Sequence, residues 1–249
     1  MPQIGVGYTP EGLDQNPAYY ELLQEAAFKT EPEPNITAWL IKRAYRRYGV
    51  ESNADVASAW SYIGASGYSN DAEVHDTTAV GTLFPKSGHS GTPSWMGFVE
   101  PGRTMPTAAL CHEWNAWGAL LAAAPAVPTP LPTTYTYDLV DIGREVLSQL
   151  TIPIALNFTS AINTNSSLDE AYIKATGDLY IELLYDLDKL LATDSGGAFL
   201  LGRWLAAARK LGGNATDCRD TVLGDRLFKC DDFMEWNARA QITTWHPVG

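Results

Sequence analysis

Apolar residues recurring every three or four positions constrain this chain more than any other feature. Tyr135, Leu139, Ile142, Val146 and Leu150 keep that spacing, and so do Tyr180, Leu183, Leu184, Leu187 and Leu191. Leu201, Trp204, Leu205 and Ala208 repeat it. Steps of three or four put side chains on one helix face, and an apolar face must be covered by another element. The expected fold is therefore mainly α, with amphipathic helices packed in a bundle-like array. Nearer the start, Asn35 is placed to cap a helix reaching about Tyr48, and Val56, Ala59, Trp60 and Ile63 mark one face of a shorter helix. Another helix is expected over about 112–123, followed by a Pro-rich connector from Pro125 to Pro132. No segment repeats at a fixed period, which argues against a solenoid.

Two stretches depart from this pattern. A strand-like run, Gln3-Ile4-Gly5-Val6-Gly7, leads into Tyr8-Thr9-Pro10-Glu11-Gly12 and then a helix bearing Tyr20, Leu22, Leu23, Ala26 and Ala27. Glu31-Pro32-Glu33-Pro34 closes that unit, because proline lacks the amide donor and restricts the residue before it. From about 70 to 105 the pattern lapses into Gly, Ser, Pro and Thr, a long loop of the kind that is usually functional or disordered.

The 249 residues carry a formal net charge of -12, which argues against a nucleic-acid surface. The nearest basic cluster is Lys42, Arg43, Arg46 and Arg47. It lies at helical spacing opposite Ile36, Leu40, Ala44 and Tyr48 and is expected to form a solvated helix face. No stretch approaches the roughly 18 uncharged apolar residues of a membrane helix. Met1 opens on the strand-like run rather than on a signal peptide. Four Asn-x-Ser/Thr sequons, at Asn35, Asn157, Asn165 and Asn214, nonetheless point to a secretory history. Cys218 and Cys230 bracket a short polar segment that a disulfide could close, leaving Cys111 as an expected buried free thiol.

Few residues stand out chemically. Glu11, held between Pro10 and Gly12 just after a short strand, has the placement of an active-site carboxylate in a barrel enzyme; an exposed loop glutamate is the other reading. His75, His89, His112 and His246 show no metal spacing. Trp39, Trp60, Trp117 and Trp204 lie among apolar neighbours at helical positions and are expected in the core. Trp95, in the polar loop, could either stack on a sugar ring or simply pack.

The block Gly5-Val6-Gly7-Tyr8-Thr9-Pro10-Glu11-Gly12, with Gln15-Asn16 and Tyr20, resembles the nucleophile strand of the alpha-N-acetylglucosaminidases, glycoside hydrolase family 89. The resemblance continues through Ala38-Trp39, Arg46-Arg47-Tyr48-Gly49, Ala59-Trp60, Tyr137-Asp138-Leu139-Val140-Asp141 and Phe199-Leu200-Leu201-Gly202-Arg203-Trp204-Leu205. It closes on Asn237-Ala238-Arg239-Ala240-Gln241-Ile242-Thr243-Thr244-Trp245, so the blocks run in order along nearly the whole chain.

The resemblance implies the terminal piece of a (β/α)8 barrel over residues 1–31 and an α-helical C-terminal domain over 32–249, incomplete at its end. It implies removal of terminal alpha-linked N-acetylglucosamine from a glycan with retention, Glu11 being the nucleophile; Tyr8, a departure within the motif, and Trp95 are the residues expected to contact the sugar. No metal or organic cofactor is implied. The family's acid/base carboxylate lies on an earlier barrel strand, so this chain alone is expected to be inactive, with its leader peptide and the rest of the barrel upstream. The expected compartment is extracellular, or the lumen of a lysosome or vacuole. The alternative is a non-catalytic helical interaction or scaffold protein derived from such an enzyme.

Overall fold

The structure, a computed structural model, describes residues 7, 17–31, 33, 35–68, 107–163, 170–194, 196–214, 221–223 and 226–228. Within them the fold is mainly helical, as the periodicity requires. The order is α1 (Pro17–Ala26), α2 (Ile36–Tyr48), α3 (Ala54–Ala65), α4 (Thr107–Ala123), α5 (Thr133–Asn163), α6 (Glu170–Leu191) and α7 (Leu201–Asn214). A small antiparallel hairpin follows, with β1 (Thr221–Leu223) and β2 (Arg226–Phe228) paired Thr221 to Phe228 and Leu223 to Arg226. Of the strand-like run at 4–7, all but Gly7 lies outside the described residues, and so does the loop expected over 70–105.

Local signals set the helix ends. The Asn35 and Asn53 side chains accept the amides of Ala38 and Val56, each at 2.8 Å, which satisfies donors that the first turns of α2 and α3 would leave free. Gly49 ends α2 at φ 70°, a left-handed conformation that costs glycine no Cβ clash, and its amide returns to the Tyr45 carbonyl. Between α4 and α5 a 3-10 turn at Ala124–Ala126 occupies part of the expected Pro-rich connector. The helix α5 runs on past Leu150, and through Pro153, to Asn163.

The core lies where α2, α3, α4 and the start of α5 meet. Trp39, Leu40, Tyr48, Val56, Trp60, Leu120 and Tyr135 are buried together, and Ala18 of α1 joins the same cluster. All four residues expected to mark the inner face of α3 are buried. The principal pairings are α3 on α4, α2 on α3, α4 on α5, and α5 on α6. No helix among the described residues is long and apolar enough to cross a membrane.

Four expectations need correction. Helix α4 begins at Thr107 rather than near His112. Cys111 on it is a free but exposed thiol, not a buried one. Trp204 is 56% exposed, so its helical spacing reflects the stripe on α7 but not burial. The basic cluster on α2 is also not one solvated face. Lys42 and Arg46 are exposed, whereas Arg43 is buried and Arg47 turns inward, because each of these two finds a carboxylate on another helix.

Candidate active site

Glu11, Tyr8 and Trp95 lie outside the described residues, as do Asn165, Cys218 and Cys230. What the structure describes is the scaffold that begins six positions after Glu11, at Pro17. Helix α1 is fastened to α2 through Glu21 and Glu25. The Arg43 guanidinium donates from Nε to Glu21 Oε2 and from Nη2 to Glu21 Oε1, both at 2.8 Å. One turn further along α1, Glu25 Oε2 accepts the Trp39 indole N–H at 2.7 Å. Arg43 also lies over the Trp60 ring, 5.6 Å from its centroid, so its charge is met by a carboxylate and an aromatic face. Helix α1 is therefore anchored to the core.

A second polar cluster fastens α2 to α5. Arg47 donates two hydrogen bonds to Asp138, and the Tyr48 hydroxyl donates a third to Asp138 Oδ2 at 2.9 Å. The Trp60 indole N–H completes the chain by donating to the Tyr48 oxygen at 3.0 Å. Burial opposes ionisation of Tyr48, and the adjacent Asp138 charge adds to this, so its pKa stands well above the usual tyrosine value. For Arg47, burial works against the charge, but the Asp138 hydrogen bonds more than offset it and its pKa is raised. Such a network can fix geometry. With every carboxylate oxygen turned to an internal donor, it is not arranged to deliver a proton to a ligand.

The turn between α6 and α7 is built around Asp194. Its carboxylate accepts the amides of Gly196 at 3.1 Å and Ala198 at 2.7 Å, and Gly197 adopts φ 66° between them. Arg203 donates to the Gly196 carbonyl, and Phe199 stacks on Tyr137 of α5 with centroids 4.9 Å apart. The Trp204 indole N–H donates to the Ala198 carbonyl at 2.9 Å. Trp204 thus presents an apolar ring to solvent in a fixed orientation, a surface on which a sugar ring can stack. Helical spacing alone had assigned it to the core; the Gly-Gly turn just ahead of it is the sequence signal that could have corrected this.

The remaining candidates are scattered. Asn35 is exposed at the start of α2, Asn157 is exposed within α5, and Asn214 is the last residue of α7. His112 stacks on Tyr62 across the α3–α4 contact, as an ordinary packed histidine does. Among the described residues, no three His, Cys, Asp or Glu side chains gather as a metal site.

The described residues thus form a helical domain whose leading helix, α1, is pinned to its core through Glu21 and Glu25. The sequence model of the family described as "Alpha-N-acetylglucosaminidase (NAGLU) C-terminal domain" matches residues 39–249, and the chain belongs to that family. It is also 32% identical over 250 residues to the human (Homo sapiens) protein named alpha-N-acetylglucosaminidase, a match that covers 99% of this chain and 29% of the human one. The chain therefore spans less than a third of the length of this curated relative.

Proposed function

We propose that this chain forms the helical part of a retaining glycosidase that removes terminal alpha-linked N-acetylglucosamine, with Glu11 as its nucleophile. The observation that carries this reading is the 32% identity to an alpha-N-acetylglucosaminidase across 99% of the chain, a match that takes in the stretch around Glu11. The substrate chemistry supports it. In an alpha-linked 2-acetamido sugar the acetamido group lies on the same face as the leaving group and cannot attack from behind, so a protein carboxylate must do so. Glu11 would attack the anomeric carbon as the glycosidic C–O bond breaks, and the leaving oxygen would take a proton from an acid roughly 5–5.5 Å from the nucleophile. That second carboxylate would belong to the barrel that precedes residues 1–31. Residues 1–31 would supply the end of the barrel and 32–249 the helical domain, with Tyr8, Trp95 and the exposed Trp204 offering ring contacts to the sugar. The sequons and the Cys218–Cys230 pair fit a secreted protein or one in a lysosomal or vacuolar lumen.

The test is turnover of an aryl alpha-N-acetylglucosaminide by the intact protein that carries this domain. Glu11→Gln should lower kcat roughly a thousandfold or more. Glu11→Gly with added azide should release the β-glycosyl azide, because azide would take the nucleophile's place and invert the anomeric carbon once. The 249-residue chain by itself should turn nothing over. Normal turnover by Glu11→Gln would remove the nucleophile assignment. Absence of turnover by the intact parent protein would favour the second reading, a non-catalytic helical scaffold, which has in its support that the carboxylates of Glu21 and Asp138 are used to join helices.

A further inference from the structure

Asn35 combines a sequon, Asn35-Ile36-Thr37, with a structural role. It is exposed, its backbone is extended at φ -142° and ψ 93°, and its side-chain oxygen caps α2 by accepting the Ala38 amide at 2.8 Å. This bond uses Oδ1 alone. N-glycosylation acts on the other end of the amide. The bond from the sugar's anomeric carbon to the phosphate of a lipid-linked pyrophosphate donor breaks, a bond to Nδ2 forms, and one Nδ2 proton leaves. The product is still an amide with its carbonyl oxygen free to accept. Capping and glycosylation are thus compatible in one side chain, and the exposure of Asn35 leaves room for the glycan once α2 has formed.

We infer that Asn35 carries an N-linked glycan while it continues to cap α2, and that the corner joining α1 to α2 consequently faces solvent in the intact protein. The glycan is bulky and hydrated, so no further domain of the protein can pack on that corner. The inference rests on the secretory reading above only for the donor sugar to be present.

The experiment directs the full protein into the secretory pathway of a eukaryotic cell, removes N-glycans by enzymatic deamidation in heavy-oxygen water, and reads the mass of the peptide containing residue 35. The expected result is heavy-oxygen aspartate at position 35, which Thr37→Val abolishes and Thr37→Ser retains. Asn35→Asp should remove the glycan yet leave the melting temperature of deglycosylated protein close to that of the parent, since aspartate caps a helix about as well as asparagine. Unmodified Asn35 in protein that has entered the pathway overturns the inference. So does a melting temperature for Asn35→Asp as low as that of Asn35→Ala, because the cap would then not be what the side chain supplies. Where the native protein resides is read separately by fractionating its source cells. That measurement can sink the secretory reading without touching the result at position 35.

Discussion

The Arg47 guanidinium grips the Asp138 carboxylate with two parallel hydrogen bonds, Nε to Oδ2 at 2.7 Å and Nη2 to Oδ1 at 2.9 Å, across 91 residues of sequence. Both side chains are largely buried, at 18% and 11% exposed. Removing one partner strands the other's charge away from water, and this costs more than the pair itself contributes. Arg47→Ala or Asp138→Ala should each lower unfolding free energy by about 3–5 kcal/mol, measured by urea denaturation. Replacing both at once with apolar residues, as in Arg47→Met with Asp138→Leu, should recover much of that loss. If the double variant is as unstable as the sum of the singles, the two residues are not coupled through this bond.

Tyr48 makes the same cluster sensitive to alkali. Its folded pKa is raised by burial and by the Asp138 charge, whereas in the unfolded chain it titrates near its ordinary value of about 10. A raised folded pKa means that the stability contribution is complete below pH 10. As pH rises beyond that, the unfolded chain releases the proton first and the contribution is lost. Tyr135 and Tyr137, raised chiefly by burial, act in the same direction. Stability should therefore fall steadily above about pH 10, with tyrosinate absorbance appearing together with loss of helical circular dichroism. Tyr48→Phe should flatten that fall, at a cost of about 1–3 kcal/mol at neutral pH from the unmet Asp138 and Trp60 partners. An alkaline profile identical in parent and variant would show that Tyr48 does not govern it.

Gly143, in the middle of α5, reverses a rule of thumb. Glycine to alanine inside a helix ordinarily stabilises by about 1 kcal/mol. Here an added Cβ would stand 2.7 Å from Trp117 Cε2 and 2.9 Å from Leu190 Cδ2, so α4, α5 and α6 meet where only hydrogen fits. Overpacking of this kind costs about 1–3 kcal/mol, which exceeds the propensity gain. Gly143→Ala should be net destabilising in thermal melts and should shift the Trp117 fluorescence. An increase in melting temperature would mean that the indole moves aside freely.

The helices were legible in the sequence because their signals are local: spacing on α3, α5 and α6, and the asparagine cap ahead of α2. Partners were not legible. Arg43 and Arg47 look like members of a surface cluster until the fold brings Glu21 and Asp138 to them, and an ion pair across 91 residues leaves no periodic trace. Trp204 failed in the opposite sense. Its spacing fits the stripe on α7, but whether a stripe is covered depends on what packs against it. The resemblance blocks fared differently again. Arg47, Tyr48, Trp60 and Asp138, quoted from separate segments, prove to be one hydrogen-bonded cluster joining three helices. The motif around Glu11 is legible as a pattern alone, because its chemistry depends on a second carboxylate that the pattern does not contain.

The anchor of α1 is unequal, and this decides which substitution does the damage. The Arg43 side chain is 4% exposed, whereas that of Glu21 is 44% exposed. Truncating Arg43 leaves a glutamate that water can solvate, so Arg43→Met, which also keeps an apolar stem over Trp60, should cost only about 1 kcal/mol. Truncating Glu21 leaves a buried guanidinium without its carboxylate, so Glu21→Ala should cost more than Arg43→Met although glutamate is the more exposed partner. The functional consequence follows from distance along the chain. Glu11 stands six positions before α1 in the sequence, so loosening that helix is expected to reach it. In the intact protein, Glu21→Ala should lower kcat for an aryl alpha-N-acetylglucosaminide while leaving KM nearly unchanged, because positioning of a nucleophile matters in the transition state more than in binding. Glu21→Gln, which keeps an acceptor for Arg43, should recover part of both losses. If Glu21→Ala destabilises the protein but kcat at a temperature well below melting is unaltered, α1 holds the core together without positioning Glu11.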